Sequence, residues 1–152
     1  MPIEKLKLND GVEVSPDSKQ IYILDDDESV RRSLKLLMVS YGFAVDTFSS
    51  AEGFFSAVPN SAVGCLILDI HMMGLNGWDT MQRLTENGSL LPIIVITADK
   101  DDTFKEKALK AGAVGFLQKP FEDHYLLHMV NQVFNKTKTG GSYDESKRPK
   151  VL

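Results

Sequence analysis

The sequence predicts an α/β fold in which a parallel sheet is covered by helices on both faces. Three observations carry that prediction. Five short apolar runs alternate with segments of helical period: "QIYILD" (20–25), "AVDTF" (44–48), "VGCLILD" (63–69), "PIIVIT" (92–97) and "VGFLQ" (114–118). The third and fourth runs are apolar at nearly every position, as central parallel strands buried on both faces must be. Gly or Pro stop signals follow the helical segments, so the pattern reads as βα repeated five times.

Each element has its own signal. After the first run, Val30, Leu34, Leu37 and Tyr41 recur at helical spacing, and Gly42 ends the helix. "SAEGFFSAV" (50–58) is a short helix closed by Pro59. "GWDTMQRLTENG" (77–88) places Trp78, Met81 and Leu84 on one face. "DDTFKEKALKAG" (101–112) begins acidic, turns basic and stops at Gly112, in keeping with the helix dipole. Phe104, Ala108 and Ala111 are its expected inner face. A last helix over about 122–136 is expected to bury Leu126, Val130 and Val133.

A chain of 152 residues is long enough for one domain with a sizeable core and short for two. Its net charge of −4 argues against direct nucleic-acid binding. No apolar run approaches a membrane span. The single cysteine, Cys65, excludes an internal disulfide framework and suits a reducing cytoplasm; inside "CLILD" it is expected to be a packed thiol.

In open parallel sheets, ligands bind outside the carboxyl ends of the strands. Here those ends carry Asp25 and Asp26, Asp69, Thr97, and Lys119 followed by Pro120. Three carboxylates, one hydroxyl and one ammonium would therefore converge at one rim. Two like charges about 4 Å apart repel by roughly 4 kcal/mol at an effective dielectric near 20. Mg²⁺, a hard cation that takes oxygen ligands, would remove that penalty. A metal beside a carboxylate, with Lys119 and Thr97 opposite, fits phosphoryl transfer. Asp69 is the expected nucleophile, forming an acyl phosphate, because it is central and the loop after it leaves its oxygens open. Asp25 and Asp26 would be metal ligands or would position the ligands, whereas Asp27 reads as a first-turn acid of the next helix.

The motifs "ILDDDESVRRSL", "LILDIHMMGLNGWD", "VITAD" and "GAVGFLQKPF" together resemble the receiver domain of bacterial two-component response regulators, over about residues 19–136. "DDDESVRRSL" and "QKPFED" resemble receivers of the FixJ type, which are joined to a helix-turn-helix output domain. The resemblance implies a CheY-like, flavodoxin-like (βα)5 sandwich with strand order 2-1-3-4-5. It implies that Asp69 is the phosphoacceptor, and that Asp25, Asp26, Asp69 and the backbone carbonyl of His71 hold Mg²⁺. It further implies that Thr97 and Lys119 engage the phosphoryl group, that Pro120 follows a cis bond, and that Phe116 is the aromatic switch position. His71 and Asp99 occupy places that tune the lifetime of the acyl phosphate. The implied phosphodonor is a sensor histidine kinase. The implied output is a change in the face formed by the fourth helix, fifth strand and fifth helix. That face would control a downstream protein or a tethered DNA-binding domain absent from this chain, and phosphorylation could drive homodimerisation. Such a domain is not an enzyme beyond catalysing its own phosphorylation and dephosphorylation. One departure is visible: receivers usually carry proline four residues after the acceptor, and this chain has Met73. Without that fixed φ, the 70–76 loop is expected to be more mobile in the metal-free protein.

Three rival readings are open to test. A flavodoxin-like flavin binder would want a hydroxyl- and Gly-rich phosphate loop where this chain has three aspartates. An aspartate-based Mg²⁺-dependent phosphatase would carry a second acid at the place of His71. A pseudo-receiver would act only as an interaction module. Outside the receiver pattern, residues 1–19 form an N-terminal extension, either flexible or a hairpin around Asp10-Gly11. Residues 137–152 read as a tail or linker too short for an output domain, so the chain is either a single-domain regulator or a receiver from a longer one.

Overall fold

The computed structural model describes residues 6–7, 13–14 and 19–139, with side chains described over 19–135. The expectations for the rest of the N-terminal extension and for 140–152 lie outside the described residues. Two short strands, β1 (Leu6–Lys7) and β2 (Glu13–Val14), pair antiparallel with Leu6 opposite Val14. The main sheet follows: β3 (Gln20–Leu24), β4 (Ala44–Phe48), β5 (Cys65–Asp69), β6 (Ile93–Thr97) and β7 (Gly115–Gln118). All four pairings are parallel, in the order β4-β3-β5-β6-β7. Counted within this sheet, that is 2-1-3-4-5. Helices α1 (Glu28–Ser40), α2 (Ala51–Ala57), α3 (Gly77–Glu86), α4 (Phe104–Lys110) and α5 (Asp123–Thr139) connect and cover the strands.

Every residue of β5 and β6 is buried. That burial explains why both strands are apolar up to their last residues, Asp69 and Thr97, and each buried apolar side chain contributes about 1.5–3 kcal/mol. Cys65 is fully buried, and burial pushes its thiol up to about 12, so it is packed and unreactive. Leu34 and Met38 of α1, Met81 and Leu84 of α3, and Leu126, Val130 and Val133 of α5 fill the two layers.

Several boundaries differ from expectation for local reasons. α4 starts at Phe104 because Asp101 takes the backbone N–H and hydroxyl of Thr103 into a turn of its own. It stops at Lys110, so Ala111 is exposed and Ala113 is buried instead. α3 stops two residues earlier than predicted, and Gly88 has a φ of 76°. α5 continues to Thr139. Trp78 is half-buried, its ring edge-on to Phe104.

Candidate functional site

The carboxyl ends of β3, β5, β6 and β7 meet at one rim. Among the described residues, Asp25, Asp26 and Asp69 form the only group suited to hold a metal, with one oxygen of each within 4.8 Å of the others. The three consecutive aspartates divide into separate roles. Asp25 is fully buried; its Oδ1 accepts from the Asp27 N–H at 2.9 Å and its Oδ2 from Lys119 Nζ at 2.9 Å. Asp26 is exposed at the rim. Asp27 is the N-cap of α1; the Ser29 hydroxyl and then the N–H groups of Val30 and Ser29 donate to its carboxyl and hold it below the usual range.

Asp69 ends β5 and is 6% exposed. Lys119 Nζ lies 3.9 Å from its Oδ2, and the His71 N–H donates to its Oδ1 at 3.3 Å. Burial, together with the negative charge of Asp25, raises its pKa to about 6, against the downward pull of Lys119. One ammonium cannot balance three carboxylates. The donor set is all oxygen, which suits a hard divalent cation such as Mg²⁺ and not a soft metal.

Thr97 ends β6 fully buried, and its hydroxyl oxygen accepts from the Asp99 N–H at 3.0 Å. Lys119 follows β7; its backbone N–H donates to the Thr97 carbonyl at 2.7 Å, and the Lys119–Pro120 bond is cis. The register sets Phe116 beside Val95, with its ring 6% exposed. His71 and Asp99 are joined across the rim, Nε2 to Oδ2, at 2.8 Å. Met73 is 88% exposed, yet its backbone N–H donates to Asp26 Oδ2 at 3.1 Å. Proline has no such hydrogen, so Met73 ties the loop after β5 to Asp26. His124 lies well outside the site, paired with Glu122 at 3.2 Å.

Two supporting residues had no chemical signal in the sequence. Arg31 Nη1 donates to the Asp25 carbonyl at 2.8 Å and fixes the end of β3. Gly77 opens α3 directly against the end of β5. A Cβ there would lie 2.6 Å from Ile70 Cα and 2.8 Å from the Asp69 carbonyl oxygen. Backbone cannot swing aside as a side chain can. Gly77→Ala is expected to cost about 1–3 kcal/mol in urea unfolding, by displacing α3 from β5.

Comparison with known proteins identifies the family. The family model described as "Response regulator receiver domain" matches residues 21–131. Transcriptional regulatory protein FixJ of Bradyrhizobium diazoefficiens is 39% identical over 116 residues, covering 76% of this chain and 57% of that protein. Response regulator protein TodT of Pseudomonas putida is 46% identical over 110 residues, covering 72% and 48%. The chain thus spans about half the length of these curated relatives. Among solved structures, full-length FixJ from B. japonicum superposes with a TM-score of 0.74 at 37% identity, covering 80% of this chain and 60% of that one. FixJ-N does so with 0.72 at 34%, covering 78% and 95%. The chain belongs to the receiver domain family of two-component response regulators.

Proposed function

We infer that this receiver accepts a phosphoryl group on Asp69 from the phosphohistidine of a sensor kinase. The observation that carries the reading is the buried, charge-frustrated carboxylate of Asp69, with Lys119 3.9 Å away and two further aspartates within reach of the same cation. An Asp69 carboxylate oxygen attacks phosphorus as the P–N bond breaks, and the imidazole leaves with the bonding pair. Mg²⁺, held by Asp25, Asp26, Asp69 and the His71 backbone carbonyl, would neutralise phosphoryl oxygen charge. Lys119 swings from Asp25 toward the phosphoryl group, and the Thr97 hydroxyl donates to one of its oxygens. His71 and Asp99 set how readily water reaches the product.

The added group brings roughly 1.5 to 2 negative charges. Thr97 can turn toward it only by giving up the Asp99 N–H, so the loop from β6 to α4 must rearrange. The ring of Phe116 is already inside. The signal therefore passes through that loop to the α4/β7/α5 face and does not need insertion of an exposed ring. Residues 20–136 are taken as the receiver unit, working in the cytoplasm. Its output is a partner protein, a second copy of the chain, or a DNA-binding domain like those expected in the unmatched half of the FixJ-type relatives.

The test is incubation with Mg²⁺ and acetyl phosphate, followed by intact mass and light scattering. Wild type should gain one phosphoryl mass and shift in partner affinity or oligomeric state; Asp69→Asn should do neither. A wild type that gains no mass, or a variant that gains as much, removes the assignment.

A further inference from the structure

A column of side chains continues from the rim into the helical layer. The His71–Asp99 contact at 2.8 Å joins the loop after β5 to the loop after β6. The ring of Phe104, first residue of α4, lies 5.9 Å from the His71 ring at a tilt of 47°. Its other neighbour is Trp78 of α3, edge-on at 5.4 Å. Lys107 Nζ sits over the Trp78 indole, 4.3 Å from the ring. The rings of His71, Phe104 and Trp78 thus link the acceptor loop, α4 and α3. None of the three is deeply buried, though Phe104 and Trp78 pack against the core.

Its position gives it a task. His71 is exposed and sits on a loop that lacks the usual proline, with Met73 almost fully in solvent. A single hydrogen bond to Asp99 fixes the imidazole in distance but leaves it free to tilt. A flat ring at its side restricts that tilt, and Trp78 holds the second ring in place. Asp99 in turn donates its N–H to Thr97, so the clasp is attached to the hydroxyl that must move.

We propose that Phe104, braced by Trp78, is a positioning residue that holds the His71–Asp99 clasp over Asp69 and thereby slows hydrolysis of the acyl phosphate. The proposal rests on the assignment of Asp69 as the phosphoacceptor. In the step it controls, a water oxygen bonds to phosphorus while the phosphorus–oxygen bond to Asp69 breaks. The carboxylate keeps the bonding pair, and the proton of water leaves with inorganic phosphate or passes to solvent. With Phe104 in place, the clasp stands in the path of that water. With it gone, His71 swings and the path opens. Because Phe104 and Lys107 both belong to α4, a partner that grips α4 would tighten or loosen the same column.

The experiment follows loss of the phosphoryl mass after acetyl phosphate is removed, in wild type, Phe104→Leu, Phe104→Tyr, His71→Gln and the Phe104→Leu/His71→Gln pair. Phe104→Leu is expected to shorten the lifetime about three- to tenfold, in the range of coupling between side chains in contact. Phe104→Tyr, which keeps the ring, should restore it. In the His71→Gln background, Phe104→Leu should add nothing. A second readout needs no phosphorylation: the His71 ring protons in NMR should lose their ring-current shift in Phe104→Leu and keep it in Phe104→Tyr. A Phe104→Leu lifetime within twofold of wild type overturns the proposal, as does an equal effect in both backgrounds. If wild type takes up no phosphoryl group, the assignment of Asp69 falls and the proposal falls with it. Normal uptake with an unaltered Phe104→Leu lifetime removes the positioning role alone.

Discussion

Lys119→Met is expected to cost the metal-free protein about 3 kcal/mol of stability at pH 7.5, the range for removing one partner of a buried ion pair. The methionine keeps much of the lysine stem, so packing changes little. What changes is charge: the ammonium 2.9 Å from Asp25 and 3.9 Å from Asp69 is lost. Two buried carboxylates then face each other with no cation between them. Two recoveries distinguish this from ordinary packing damage. Asp25→Asn in the same chain should restore most of the loss, because it removes the stranded charge. Lowering the pH to 5 should restore part of it, because a carboxylate protonates. Lys110→Met, which breaks an exposed pair with Glu106, is the control and should change nothing measurable. Urea unfolding in the presence of a chelator reads all four. A loss under about 1 kcal/mol, or a double variant no more stable than the single one, would mean that Lys119 does not hold this rim together.

The acidic rim is legible in the sequence because each part of it is local. A run such as "CLILD" announces a buried strand and its end in the same five residues, and the α/β pattern puts all such ends on one side. Asp25, Asp69, Thr97 and Lys119 could therefore be found without contacts being known. The separate role of Asp27 was legible for the same reason, since capping is decided within three residues. What surrounds the rim was not legible. Ala111 fits the helical period of its segment, but α4 stops at Lys110, and the inner position falls to Ala113. The His71–Asp99 contact spans 28 residues and depends on two loops taking one conformation each. The role of Arg31 is a side chain reaching a backbone carbonyl six residues back, which no residue-type pattern encodes. Met73 shows the limit most directly. Proline's absence suggested a looser loop, yet the same absence leaves an N–H that binds Asp26.

Asp69→Asn should make the metal-free protein more stable than wild type above pH 6, although it removes the carboxylate proposed as the phosphoacceptor. The folded-state pKa of Asp69 is raised to about 6 by burial and by Asp25, from an ordinary value of 3.8. Between those two pH values the folded chain holds the proton and the unfolded chain has released it. Stability then falls as pH rises, since the unfolded state binds fewer protons. The loss is complete above about pH 6, where folded Asp69 is charged and poorly accommodated. Asparagine neither titrates nor carries charge, so its stability is flat across this window. The advantage of the variant should therefore be small at pH 4, open between pH 4 and 6, and level off at about 3 kcal/mol, or roughly 6–12 °C in Tm. Mg²⁺ should narrow the gap at pH 7.5, because wild type offers three carboxylates to the ion and the variant offers two; binding at a hundredfold excess over Kd adds about 2.7 kcal/mol. Thermal unfolding of both proteins from pH 4 to 8, with chelator and with Mg²⁺, measures every part of this. A difference that does not change with pH would show that the Asp69 carboxylate is not strained in the folded protein. An Mg²⁺ shift of equal size in both proteins would show that the ion binds without it.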